Sequence, residues 1–340
     1  AADITAIETA NGSGTIDGSA LTAINGTAAA VVLALDDLDT DPTNFASTLT
    51  GTTATASDLN VIDAATSVTV NATSVTALSG STADVAASYA SAGISGLGNE
   101  TVTLSSATAA VRDLLAINEA TSGNVNASAI TTLTGTLAEA VAAILSTGIV
   151  GLGNESVTLS DHTLSVVAVN ALNALTTGMI DASSVSTFTG SASEVAAIYA
   201  ASGITGIGAT SITIDDTILA AADLNALTDL STGTIDVTSV LTVAGSAAVV
   251  AFSYVSTDIT GLGNEAVTLT GVAAAGDITT IAGANGSGTI DGSAITAING
   301  TAAAVVQAVD DLDTDPSDFN SALMGAAEAA DITAIETANG

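Results

Sequence analysis

The chain has 340 residues, 35 of them acidic, with a single arginine (Arg112), no lysine and one histidine (His162), for a formal charge of −34. That balance excludes electrostatic binding to nucleic acid or anionic lipid, both of which need clustered cations. The lack of cysteine excludes disulfides, thiolate metal sites and a cysteine nucleophile. No apolar run approaches the roughly 18 residues that span a bilayer.

Apolar residues make up 48% of the chain, with no tryptophan, four phenylalanines and three tyrosines. Small and β-branched side chains of this kind suit a thin core between closely stacked layers rather than one thick globular core.

Taken from the start, the chain is ordered by a ten-residue phrase running from Asp or Asn to Gly. It reads DGSALTAING from Asp17, then returns at Asn71, Asn126, Asp181, Asp236 and Asp291. The copies are evenly spaced, and a fixed period of about 55 residues marks a solenoid or tandem array. In the repeat beginning at Asp181, DASSVSTFTG reads as a strand and SASEVAAIYAASG as a helix closed by Gly203. ITGIGATSITID then reads as a turn and second strand, and DTILAAADLNALTDLSTG as a second helix closed by Gly233. Helices of about three turns are too short to stand alone, so they must pack on strands of their own and neighbouring coils.

The expected fold is therefore an α/β repeat solenoid of about 55-residue units, strand–helix–strand–helix, over residues 1–340 as one continuous body of about six repeats. A parallel β-helix with short helical corners is the alternative. The last twelve residues, AADITAIETANG from Ala329, duplicate the first twelve, so 329–340 reads as the beginning of the next super-repeat and the chain as a piece of a longer tandem protein.

Two segments depart from the pattern. DDLDTDP occurs at Asp36–Pro42 and again at Asp310–Pro316, after a helical stretch. Helix C-termini carry partial negative charge, so acids there call for water or a bound cation. The candidate Ca²⁺ ligands are Asp36, Asp37, Asp39 and Asp41, with Asp310, Asp311, Asp313 and Asp315, alternate carboxylates having the oxygen-donor spacing of calcium loops. Pro42 and Thr48 fall where an EF-hand requires Gly and Glu, so the rival reading is a solvated acidic corner with a proline stop.

The remaining motifs read as structure. GLGNE at Gly96, Gly151 and Gly261, and GIGAT at Gly206, read as tight glycine corners rather than ligand sets. His162 and Arg112 have no counterparts in sibling repeats, so neither suggests a catalytic triad or an anion site. Eight Asn-x-Ser/Thr sequons, Asn285 among them, are ordinary turn chemistry in a repeat. No catalytic residue is assigned.

ITGLGNEAVTL and IDASSVSTFTG, joined by Ala-rich helices, resemble the tandem repeats of very large acidic cell-surface and secreted proteins of marine bacteria, cyanobacteria among them. The resemblance implies an extracellular or surface location and a structural role in a rod, fibre or coat, or else a calcium-dependent adhesin stalk or ligand-binding module. Expected partners are neighbouring copies or adjacent repeats and divalent cations, with no nucleic acid and no membrane insertion.

Overall fold

A computed structural model describes residues 1–339. Its helices are short and evenly spread: α1 Ala2–Asn11, α2 Ala28–Asp36, α3 Ala56–Ala65, α4 Thr82–Ala90, α5 Val111–Ala120, α6 Leu137–Leu145 and α7 Val166–Asn173. They continue as α8 Ala192–Ala200, α9 Ala221–Thr228, α10 Ala247–Val255, α11 Ala275–Ala284, α12 Ala302–Asp310 and α13 Ala329–Ala338. The chain divides into two compact units, Ala1–Ser160 with Leu172–Asp181, and Asp161–Ala171 with Ala182 onward.

Each helix is specified by a polar start and an apolar stripe. Thr27, Thr55, Ser81, Thr136, Ser191 and Thr301 accept a hydrogen bond from the N3 backbone N–H of α2, α3, α4, α6, α8 and α12. Glu139 and Glu194 return the bond to complete capping boxes. Buried side chains then recur every third residue, as in Ala56, Leu59 and Ile62 of α3 or Val111, Leu114 and Ile117 of α5, which turns one narrow face to the strands.

The exits differ from the expected glycine caps. Ala201 after α8 is already extended, at φ −76° and ψ 117°, and Asp229 after α9 is right-handed helical. Neither Gly203 nor Gly233 has positive φ. These helices leave straight into the next strand, so no left-handed residue is required.

In the first unit, the strands Thr53–Thr55, Ala77–Gly80, Thr101–Leu104, Val125–Asn126 and Ile149–Val150 form a five-stranded parallel sheet. Thr53 lies opposite Ala77, and Ala77 opposite Thr101. The bond from Thr76 Oγ1 to Thr52 O spans the same step, |i−j| = 24. A second ladder runs from Thr108–Ala110 through Thr132–Gly135 and Ser156–Leu159 to Ile180–Asp181. The second unit has one ladder beginning at Thr163–Ser165 and another at Ile218–Ala220, also parallel. The buried strand residues include Val102, Leu104, Leu133, Val157, Phe188 and Ile212.

The fold is thus α/β, with parallel sheets alternating with helices in a solenoid-like arrangement. The repeat period concealed one property of it. Successive helices start at Ala56, Thr82 and Val111, so their spacing alternates between a shorter and a longer interval. Both intervals exceed the step between paired strands, which runs from Thr53 to Ala77 to Thr101. The strands therefore slip against the helices from coil to coil. Slippage is absorbed where a coil carries two strands: Thr101–Leu104 pairs back to Ala77–Gly80, and after a short link Thr108–Ala110 pairs forward to Thr132–Gly135. A new ladder starts at Thr53, Thr108, Thr163 and Ile218.

Candidate functional site

The acidic turns occupy corresponding places in the two units. Asp36 ends α2, and Asp37 follows in helical conformation with its N–H donating to Leu33 O at 3.0 Å. Leu38, 8% exposed, folds inward. Asp39 then faces the preceding strand: its Oδ2 accepts the N–H of Ile16 at 2.6 Å while its own N–H donates to Ile16 O at 3.0 Å. Asp313 does the same with Ile290, at 2.7 and 2.9 Å. Thr40 bridges to Asp17, and Thr314 to Asp291.

Asp39 and Asp313 therefore act as clips between coils, a role that their charge pattern alone did not reveal. Asp36, Asp41, Asp310 and Asp315 lie along the outside of the turns with no hydrogen bond from their carboxylates among the described residues. Asp37 Oδ2 and Asp311 Oδ2 are buried without a partner, the same atom in both copies; Asp311 Oδ1 accepts from Gln307 Nε2 at 2.8 Å. Among the described residues, no group of three Asp, Glu, His or Cys side chains is gathered as a metal cage.

A second constellation, not foreseen as such, lies at the glycine corners. Glu100, Glu155 and Glu265 are buried, at 0%, 0% and 5% exposure. Each carboxylate turns back onto the second glycine of its own corner: Gly98 N–H reaches Glu100 Oε2 at 2.8 Å, Gly153 N–H reaches Glu155 Oε2 at 2.7 Å, and Gly263 N–H reaches Glu265 Oε2 at 2.8 Å. Gly98, Gly153 and Gly263 all have positive φ. Where Thr210 replaces the glutamate, Gly208 does not. The carboxylate thus holds the corner in a conformation that glycine alone adopts readily.

All three tyrosines of the chain meet this position from the preceding helix. Tyr89 OH donates to Glu100 Oε2 at 2.8 Å and Tyr254 OH lies 2.9 Å from Glu265 Oε2. Tyr199 OH instead pairs with Thr210 Oγ1 at 2.6 Å. Burial, and then the adjoining carboxylate, push the Tyr89 and Tyr254 hydroxyls well above the ordinary tyrosine range. Ile144 occupies the matching place on α6, and there Glu155 Oε1 is buried without a partner. The constant spacing of the tyrosines, each |i−j| = 11 ahead of a Glu or Thr, was the available clue.

The residue after each of these corners is latched by the next coil. Thr66 Oγ1 donates to Phe45 O at 2.7 Å, Thr121 to Glu100 O at 2.7 Å, Thr176 to Glu155 O at 2.6 Å and Ser231 to Thr210 O at 2.5 Å. Asn285 makes two bonds to the Glu265 backbone, and Asn339 Oδ1 accepts Phe319 N–H at 2.6 Å. Asn285, 1% exposed, is closed to glycosylation in this fold. The backbone approach is close: a Cβ on Gly178 would collide with Glu155 O.

His162 is exposed, with Nδ1 3.0 Å from Ser184 O, and Arg112, 80% exposed, pairs with its neighbour Asp113. Among the described residues no helix is long and apolar enough to cross a membrane. Searches against protein-family models, curated proteins and solved structures find no match to this chain.

Proposed function

We propose that the chain is a non-catalytic structural segment of a large extracellular or cell-surface protein, built as one solenoid from repeats of two coils each and extended into a rod, fibre or coat. The observation that carries this reading is the latch series from Thr66 to Asn339. Once per repeat, a side chain at one recurrent position ties a coil to the one before it, which is what resisting tension through nearest-neighbour contacts requires. Ladder starts at Thr53, Thr108, Thr163 and Ile218 fit the same two-coil repeat. The formal charge of −34 keeps separate segments apart through self-repulsion.

Calcium enters as a stabilising ligand of the acidic turns. The orphan oxygens of Asp37 and Asp311 support this role, since a buried carboxylate oxygen without a donor is stabilised by a cation. Small-angle scattering of the chain, with Ca²⁺ and with EGTA, tests the reading. A rod-like profile is expected in both, with a higher melting temperature in Ca²⁺. A compact spherical profile would overturn the structural reading.

A further inference from the structure

The sequence AADITAIETANG occurs twice, from Ala1 and from Ala329, and its two copies have different surroundings. In α13 it is docked. Ile335 is buried against α12, and Asn339 Oδ1 accepts the N–H of Phe319 in the turn that follows the second acidic segment. This is the seat that α3 takes after the first acidic segment, where Thr66 Oγ1 accepts the N–H of Phe45 at 3.1 Å. In α1 no residue is buried; Ile7, the counterpart of Ile335, is 53% exposed. Asn11, the counterpart of Asn339, is exposed and has no side-chain hydrogen bond among the described residues. Four positions apart, Ile7 and Asn11 share one face of α1.

A third, closely related sequence indicates what that face is for. In α11, AGDITTIAGA, the residues Ala275, Ile278 and Ile281 are buried, and Asn285 is latched to Glu265. The pattern therefore buries an isoleucine and engages its asparagine wherever a coil lies before it.

We propose that α1 docks on residues 311–328 and α12 of a second copy of this chain, in the seat held by α13, so that copies join end to end and α13 serves as an exchangeable cap. The inference rests on the structural reading above and names the partner of its latch. The two competing helices have the same sequence, so the seat does not distinguish them by contacts. What favours α13 is its tether, which raises its effective concentration at the seat. The seam is also incompletely filled: a space of about 60 Å³ remains among Val306, Val309, Asp310, Ala334, Ile335 and Ala338, and incomplete packing eases exchange.

The test uses the full chain at physiological ionic strength. Ile335→Asp places a charge in the seam and releases α13, which hydrogen exchange over 329–339 reads directly. Sedimentation should then shift from monomer toward dimers and longer species, and adding Ile7→Asp to the same chain should return it to monomer. A released α13 with no association, or association that survives Ile7→Asp, overturns the proposal. Because the chain has no cysteine, an Ile7→Cys chain mixed with a Val306→Cys chain gives an independent measurement. Mixed disulfide dimers are expected and should increase when the Val306→Cys chain also carries Ile335→Asp. Their absence overturns the proposal even where Ile335→Asp leaves α13 in place. None of these outcomes alters the scattering profile of the monomer, so failure of docking is distinct from failure of the structural reading.

Discussion

Asn285 and Glu265 hold each other's coils through a reciprocal pair of hydrogen bonds. Asn285 Nδ2 donates to Glu265 O at 2.9 Å, and Asn285 Oδ1 accepts Glu265 N–H at 3.0 Å. Tyr254 OH lies 2.8 Å from the same Oδ1. One amide thus satisfies both backbone groups of a buried residue, a task for which the other latches use a hydroxyl and a single bond.

Asn285→Ala leaves a buried N–H and a buried C=O without partners, at about 1–3 kcal/mol each. Urea denaturation should show a loss of several kcal/mol in the second compact unit. Thr176→Val, which removes one bond to Glu155 O, should cost less, about 1–2 kcal/mol. Equal losses at the two positions would contradict the double role of the asparagine.

Ile144→Tyr should stabilise the chain. It brings a hydroxyl to Glu155 Oε1, buried and unpartnered, as Tyr89 does for Glu100 at 2.8 Å. A gain of about 1 kcal/mol is expected from the new bond, measured as a raised urea midpoint. Glu155→Gln combined with Ile144→Tyr should lose part of the gain, because the acceptor no longer carries charge.

Alkaline unfolding should be governed by the tyrosines. Burial and a neighbouring carboxylate raise Tyr89 and Tyr254 above their ordinary value, so the folded state favours the protonated phenol. Their contribution is fully present below about pH 10, the unfolded value. It is lost progressively as pH rises from there toward the folded values. With no lysine in the chain, few other groups titrate in that window. Tyr89→Phe with Tyr254→Phe should therefore flatten the alkaline fall in melting temperature, and phenolate absorbance in the wild type should appear together with unfolding.

Calcium stabilisation through the acidic turns depends on the orphan oxygens. Asp37→Asn with Asp311→Asn should remove the Ca²⁺-dependent rise in melting temperature while keeping the side-chain shape. Asp39→Ala tests a different link: it strips the acceptor from Ile16 N–H and should lower stability in Ca²⁺ and EGTA alike, by about 1–2 kcal/mol. A wild-type melt indifferent to Ca²⁺ would remove the cation from the proposal and leave the clips intact.

Particular residues show what the sequence disclosed. The helix expected in SASEVAAIYAASG forms as Ala192–Ala200 behind Ser191, because cap, stripe and length are local properties. The positive φ of Gly96 and Gly151 was likewise legible in the paired glycines. The strand step was not, because hydrogen-bond register depends on how far the chain travels around a coil, and the repeat period does not record that path. Gly233 was misread for a related reason: its missing Cβ serves a close approach to Thr210 O, a partner in the preceding coil. Asp39 read as a ligand because a run of acids reveals charge and hides which backbone N–H each carboxylate meets. The buried glutamates were hidden by their setting, since Glu beside Asn after two glycines looks like a solvated turn.

The mismatch between strand step and helix step also limits how such a gene can grow. A coil with two strands pairs backward with one and forward with the other, and the coil beside it has a different job. Insertion of one coil alone would set two coils of the same kind side by side and leave a ladder without its continuation. Recombination between copies is therefore tolerated only when it adds or removes coils in pairs, so lineages should differ in length by whole pairs while the odd-numbered intermediates are purged.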